Sequence, residues 1–189
     1  MPDAHLVDAT ADEQLANEAY SEGVRQLVWK YHRTRPSYKI VARSPTYVAD
    51  WAAARFCLAP MGVGWGVRLL WAIAGGCVPV IASSEVSSWF DDVLDYRSFA
   101  LHGVPKMSMR QLPALLEALP PERLRAMQTA LWKHRSLFLW EQGGLAYNMT
   151  MYQLCQRSRR GRHRAGDCNI LLPPSAAELV HHRIVPQRR

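Results

Sequence analysis

FCLAPMGVGWGVRLLWAIAGGCVPV, residues Phe56 to Val80, decides the fold class. Phe56-Cys57-Leu58-Ala59 is a short apolar run closed by Pro60, and Gly62, Gly64 and Gly66 follow at every second position. Val67 to Ala74 is an apolar helical run with one cation, Arg68, in its first turn. Gly75-Gly76 ends it, and Cys77 to Ala82 reads as a buried strand. The order is strand, glycine-rich loop, helix, strand. Such a loop leaves free backbone N–H groups and the positive end of the helix dipole at one point, where a phosphate or diphosphate can sit. A plain tight turn with no ligand is the alternative. Arg68 would clamp an anion there, or else stand as a solvated first-turn residue. A cation at a helix N-terminus opposes the dipole by roughly 0.3–1 kcal/mol, which an anion nearby would offset.

Working outward, Ser21 is a plausible N-cap for a helix to about His32, with Val24, Leu27, Val28 and Tyr31 on one face. Tyr38 to Ala42 reads as a strand, and Ser44-Pro45 opens a helix running to Ala54. Ser98 to His102 is a short strand. Helices follow from Ser108 to about Leu119, from Pro121 to about Leu139 and from Gly144 to Gln156. Alternating strands and helices imply a parallel sheet covered on both faces. Residues 1–19 form a poorly defined lead in which Asp12 to Ala19 could be a frayed helix, 20–155 form the domain, and 156–189 a basic, disordered tail.

Charge and composition restrict the function class. The chain has 189 residues, enough for one domain with a real core, and is 49% hydrophobic. The formal charge is +7, and the excess is concentrated in the tail, where eight arginines face only Asp167 and Glu178. The block from Arg157 to Arg164 could bind nucleic acid, an anionic glycan or a membrane surface, or be a solvated extension. It has no interleaved aromatic, so nucleic acid is not an expected partner. Cys57 and Cys77 lie in apolar strand runs and are expected as buried free thiols. No CxxC or Cys/His spacing indicates zinc, the adjacent His181-His182 make a poor chelating pair, and GxSxG is absent. Asp91-Asp92 and Asp95 do not form an Asp-x-Asp triplet, so no metal and no cofactor are expected. No apolar run reaches the ~20 residues of a spanning helix, and Met1-Pro2-Asp3 does not read as a signal peptide.

Taken as a set, the run from Phe56 to Ser84 and then Trp89-Phe90-Asp91-Asp92-Val93-Leu94-Asp95-Tyr96, with Phe99, resembles the exostosin family of glycosyltransferases, GT47. Tyr20-Ser21-Glu22-Gly23-Val24-Arg25-Gln26 is similar to the family's YSGGVRQ segment in plant and algal members, and Phe138-Leu139-Trp140 to its closing region. The resemblance covers roughly residues 20 to 152. It implies the Rossmann-like C-terminal, nucleotide-sugar-binding half of a GT-B glycosyltransferase. The implied reaction moves a sugar from a nucleotide-sugar, a UDP-sugar, to a glycan or glycoprotein acceptor, with inversion and without metal. A non-catalytic truncated domain that binds a nucleotide-sugar or a partner glycosyltransferase is the alternative. The family location is the Golgi membrane, although this chain shows no anchor and would be soluble as given.

The site implied for the nucleotide-sugar comprises Arg25, Gly62, Gly64, Gly66, Arg68, Ser83, Ser84 and Glu85. The loops after 56–59 and 77–82 emerge at one edge if those strands are parallel. Arg25 would be a second diphosphate clamp or a helix-surface residue. Glu85 would bond ribose hydroxyls or be an exposed loop acid, with Ser87 standing where some members carry a Glu. Asp95 and Tyr96 read as structural. No residue is assigned as general base. Two departures stand out. The strand the family places before YSGGVRQ has no counterpart around Asn17-Glu18-Ala19, so the sheet is expected to lack its first strand. Glu22 also replaces a family glycine, setting a carboxylate near the diphosphate.

Overall fold

The computed structural model describes residues 6–9, 15–17, 19–42, 44–62, 66–82, 87–158 and 165–180. Its strands are β1 (Leu6–Ala9), β2 (Tyr38–Val41), β3 (Phe56–Pro60), β4 (Val78–Ala82) and β5 (Leu101–His102). Every pairing is parallel, in the order β2-β1-β3-β4-β5. The helices are α1 (Val24–His32), α2 (Tyr47–Ala53), α3 (Val67–Gly75), α4 (Leu112–Glu117), α5 (Pro121–His134), α6 (Ala146–Ser158) and α7 (Pro174–Ala177). This is the Rossmann-like α/β class expected from the strand–helix alternation. Adjacent residues of β3 enter different apolar clusters: Phe56 and Leu58 join the main core, while Cys57 packs with Trp51, Ala54 and Ala72. Side chains alternate across a strand, so both faces of the sheet are covered.

The sheet does not lack its first strand. Leu6–Ala9 pairs with β2 through Leu6↔Tyr38 and with β3 through Leu6↔Phe56. Leu6 is fully buried. A strand inserted between two neighbours draws stability from main-chain hydrogen bonds on both edges, so LVDA needs little apolar signal of its own.

The cysteines also differ from expectation. Cys57 and Cys77 are not free thiols but form a disulfide, with Cα atoms 5.7 Å apart. The register Cys57↔Pro79 leaves Cys77, just before β4, two residues ahead of the partner of Cys57 and so on the same face of the sheet. Cys155 and Cys168 form a second disulfide, Cα–Cα 5.9 Å. It returns the chain to α6 after the basic block. Cys168, Leu172, Ala176 and Val180 then join the main core. Residues 165–180 are therefore packed structure and not solvated tail, because they carry their own apolar anchors. Residues 159–164 and 181–189 lie outside the described residues, as do Asp12 to Gln14 of the expected frayed helix.

Two helix starts are displaced. Ser21 does not cap α1; the N-cap is Gly23, and Tyr20–Gly23 forms a separate turn. The helix expected from Ser108 is a 3₁₀ segment at Lys106–Gln111 followed by α4. Pro113 stands in the first turn of α4, where its missing N–H costs nothing.

Candidate functional site

All strands run the same way, so their C-terminal ends share one edge. From β1 the chain moves outward through α1 to β2, then crosses back to β3 on the other side of β1. The two connections diverge between β1 and β3. In open α/β sheets of this 2-1-3-4-5 order, the crevice at such a switch point is where ligands bind.

Two loops flank that crevice. The connection from β1 to α1 ends in the turn Tyr20–Gly23, and the connection from β3 to α3 carries Gly62 and Gly66. They meet: a Cβ placed on Gly62 would lie 3.2 Å from the Tyr20 hydroxyl oxygen. A side chain at position 62 would crowd the Tyr20 hydroxyl, which would have to give by a few tenths of an ångström. Gly66 is the N-cap of α3, at φ +68°, a backbone conformation suited to glycine.

The turn before α1 is unusual. Ser21, Glu22 and Gly23 are successively left-handed, with φ of 56°, 53° and 76°. Two of the three carry a Cβ, at a cost of about 1–2 kcal/mol each relative to right-handed backbone. Arg25 lies behind this turn and is only 2% exposed. Its Nε donates to Ser21 Oγ at 2.6 Å, and its guanidinium sits 5.2 Å from the Tyr20 ring centroid. A buried cation held in this way contributes a fixed positive charge behind the crevice.

Arg68 occupies the first turn of α3 and is half-buried. Backbone pairing carries β3 and β4 in step to Pro60↔Ala82, so the chain leaves both strands side by side. The structure thus brings Arg25, Gly62, Gly66 and Arg68 to one edge. Gly64, Ser83, Ser84 and Glu85 lie outside the described residues.

Sequence reasoning missed Tyr20 and Ser21 as members of the site. The signal was present in Tyr20-Ser21-Glu22-Gly23, but a left-handed turn at non-glycine residues cannot be read from residue types. Beyond β4, Asp95 caps the short 3₁₀ turn Tyr96–Ser98, its Oδ1 accepting from Arg97 N–H at 3.1 Å. The buried Tyr96 donates its hydroxyl to Trp89 O at 2.6 Å. Both residues therefore hold the loop that precedes β5. Burial holds the Asp91 carboxyl above the usual range, with Asp92 adding to it, against a hydrogen bond from Ser88 N–H at 2.9 Å. Asp92 accepts from Gln153 and from Arg157 Nε, tying this loop to α6. Among the described residues no group of three or more His, Cys, Asp or Glu could hold a metal ion. Nor is any helix there long and apolar enough to cross a membrane.

The family model for the exostosin GT47 domain matches residues 8–119. The chain is 32% identical over 114 residues to "Probable glucuronosyltransferase GUT1" of Oryza sativa subsp. japonica, covering 59% of this chain and 27% of that protein. It is 32% identical over 114 residues to "Probable beta-1,4-xylosyltransferase IRX10L" of Arabidopsis thaliana, with the same coverage. A further rice probable glucuronosyltransferase is 27% identical over 167 residues, 85% of this chain and 38% of its own. The chain thus spans between about a quarter and two-fifths of the length of these relatives.

Proposed function

We propose, from the premise that the chain belongs to the exostosin GT47 domain family, that it is the nucleotide-sugar-binding part of a glycosyltransferase. The observation that carries this reading is the meeting of the Tyr20–Gly23 turn with Gly62 across the β1/β3 switch point. On this reading the crevice has the N-terminus of α3, with Arg68 in its first turn, on one side and the buried charge of Arg25 behind it. It suits a diphosphate. The donor is a UDP-sugar and the acceptor a glycan or glycoprotein hydroxyl, in a GT-B arrangement with an acceptor-side domain.

The chemistry follows from where charge develops. The acceptor hydroxyl oxygen forms a bond to the anomeric carbon as the bond to the diphosphate oxygen breaks. The electron pair departs with the diphosphate, and the hydroxyl proton passes to a base to which no residue of this chain is assigned. Attack opposite the leaving group inverts the carbon. Preorganised donors aimed at the diphosphate lower the barrier by stabilising the charge it gains. Arg68 and the N–H groups at the start of α3 fill that role without a metal.

The disulfides support maturation in an oxidising compartment, since such bonds persist there and are rare in the cytosol. The Golgi lumen fits. A second reading, a non-catalytic domain that binds a nucleotide-sugar or a partner glycosyltransferase, is favoured by one observation: Arg25 is enclosed by Ser21 and Tyr20.

Calorimetric titration with UDP, beside Arg68→Ala, tests the donor site. Saturable binding that the substitution weakens about tenfold or more supports it, since a charge-assisted hydrogen bond is worth roughly 1.5–3 kcal/mol. A folded chain that does not bind UDP refutes it. If UDP binds, turnover of a UDP-sugar once an acceptor-side domain is supplied favours the enzyme, and binding without turnover favours the second reading.

A further inference from the structure

The basic block that follows α6 takes no part in the donor crevice, and it holds a pattern that the rest of the chain lacks. Arg157-Ser158-Arg159-Arg160 precedes Gly161, so the Arg160–Gly161 bond has arginines at the first, second and fourth positions before it. No other peptide bond of the chain does. A protease cleft lined with carboxylates can hold guanidinium groups at that spacing through charge-assisted, bidentate contacts. Endoproteases that read paired arginines work along the secretory route, in the oxidising compartments where disulfides such as the two found here form.

The residues on either side decide what such a cut would disturb. α6 ends at Ser158, and Arg157 and Ser158 are both exposed. A cleft takes its peptide extended, so the last turn of α6 must open. That turn is held from outside by the ion pair of Arg157 Nε with Asp92 Oδ2 at 3.0 Å. Helix ends tied by exposed ion pairs open at little cost. Gln153, one turn earlier, also donates to Asp92 and keeps α6 on the loop before β5. Beyond the block, residues 165–180 are secured independently. Leu172, Ala176 and Val180 enter the main core, and Asn148 Nδ2 donates to Leu171 O at 2.9 Å. Cys168 is bonded to Cys155, so the disulfide spans the Arg160–Gly161 bond with one cysteine on each side.

We infer that Arg160–Gly161 is a processing site for an endoprotease specific for paired arginines, and that the cut protein stays one molecule through Cys155–Cys168. In the cut, water adds across the amide. Its oxygen bonds to the Arg160 carbonyl carbon, the C–N bond breaks, and the Gly161 nitrogen takes a proton. The inference uses none of the donor residues and stands apart from UDP binding.

The test incubates the full disulfide-bonded chain with a purified subtilisin-like endoprotease specific for paired basic residues, beside a synthetic peptide of residues 154–166. Fragments are read by mass spectrometry and on gels run with and without reductant. A single cut is expected, giving one band without reductant and pieces 1–160 and 161–189 with it. Arg160→Gln and Arg157→Gln should each slow cleavage about tenfold or more, as loss of a charge-assisted contact implies. Arg164→Gln should leave the rate unchanged, and a thermal melt of each variant checks that it folds. A chain that is not cut overturns the inference, and the peptide says which part failed. A peptide that is cut shows the fold withholding the bond, and one that resists shows the tetrad unread. Cutting at another bond, a rate indifferent to Arg157→Gln, or separation of the pieces without reductant overturns it as well.

Discussion

Glu22→Gly should make this protein more stable. Glu22 stands at φ 53°, ψ 26°, and its side chain is exposed. Left-handed backbone costs a residue with a Cβ about 1–2 kcal/mol, and glycine avoids that cost. Against this, glycine loses roughly 0.5–1 kcal/mol more conformational entropy on folding. The balance is a gain of about 0.5–1 kcal/mol. For a chain of this size that corresponds to a rise in Tm of roughly 1–4 °C. Ser21 sets the contrast: at φ 56° it suffers a similar backbone cost, but its hydroxyl accepts from the buried Arg25. Ser21→Gly would relieve the backbone and remove a hydrogen bond to a charge worth roughly 1.5–3 kcal/mol, so the net effect should be destabilising.

Urea unfolding and thermal melts of wild type, Glu22→Gly, Glu22→Gln and Ser21→Gly would check this. Glu22→Gln keeps the Cβ and removes only the charge, so it should leave stability within about 0.5 kcal/mol, as surface changes usually do. A Glu22→Gly protein no more stable than Glu22→Gln would refute the reasoning from backbone conformation.

Three further expectations concern packing, covalent closure and charge. Gly76→Ala should destabilise by roughly 2–3 kcal/mol, because φ is +76° and the new Cβ would lie 2.8 Å from Trp132 Cζ2; a melt unchanged from wild type would contradict the packing. Replacing Cys155 and Cys168 by Ser should cost about 3 kcal/mol, by the loop-closure estimate for a loop of this length, and open residues 165–180 to limited proteolysis; equal protease resistance would show that the apolar anchors suffice. Burial pushes the Asp50 carboxyl up, but hydrogen bonds from Lys39, Ser44 and Thr46, with the Lys39 charge, outweigh it and leave its pKa lowered. A lowered folded pKa gives stability present above the unfolded value near 4 and lost as pH falls through the folded value. Asp50→Asn should therefore be less stable than wild type at pH 7, with the gap narrowing below about pH 4; urea unfolding across that range would show whether it does.

Much of the fold was legible because glycine and proline punctuate apolar runs. Pro60, Gly66 and Gly76 bound β3 and α3 in the sequence as they do in space. What failed to read was whatever depends on neighbours. LVDA is a strand because β2 and β3 supply partners on both sides, and four residues carry no periodicity of their own. The Cys57–Cys77 bridge needs the register of β3 on β4, which no local pattern encodes. The site divided in the same way. Its glycines and arginines stood in motifs, whereas Tyr20 entered through a contact with the distant Gly62.

The two arginines therefore have different physical roles. Arg25 donates from Nε to Ser21 and lays its guanidinium over the Tyr20 ring. Enclosed at 2% exposure, it adds a positive potential and holds the turn in place. Tyr20 is the lever between these effects, because the ring that covers Arg25 also places its hydroxyl against Gly62. Arg68 sits where its own helix dipole disfavours a cation, in the first turn of an apolar α3. On the donor-site reading, a bound diphosphate would offset both that dipole and the positive potential of the buried Arg25, so weakened UDP binding by Arg68→Ala is what the reading requires.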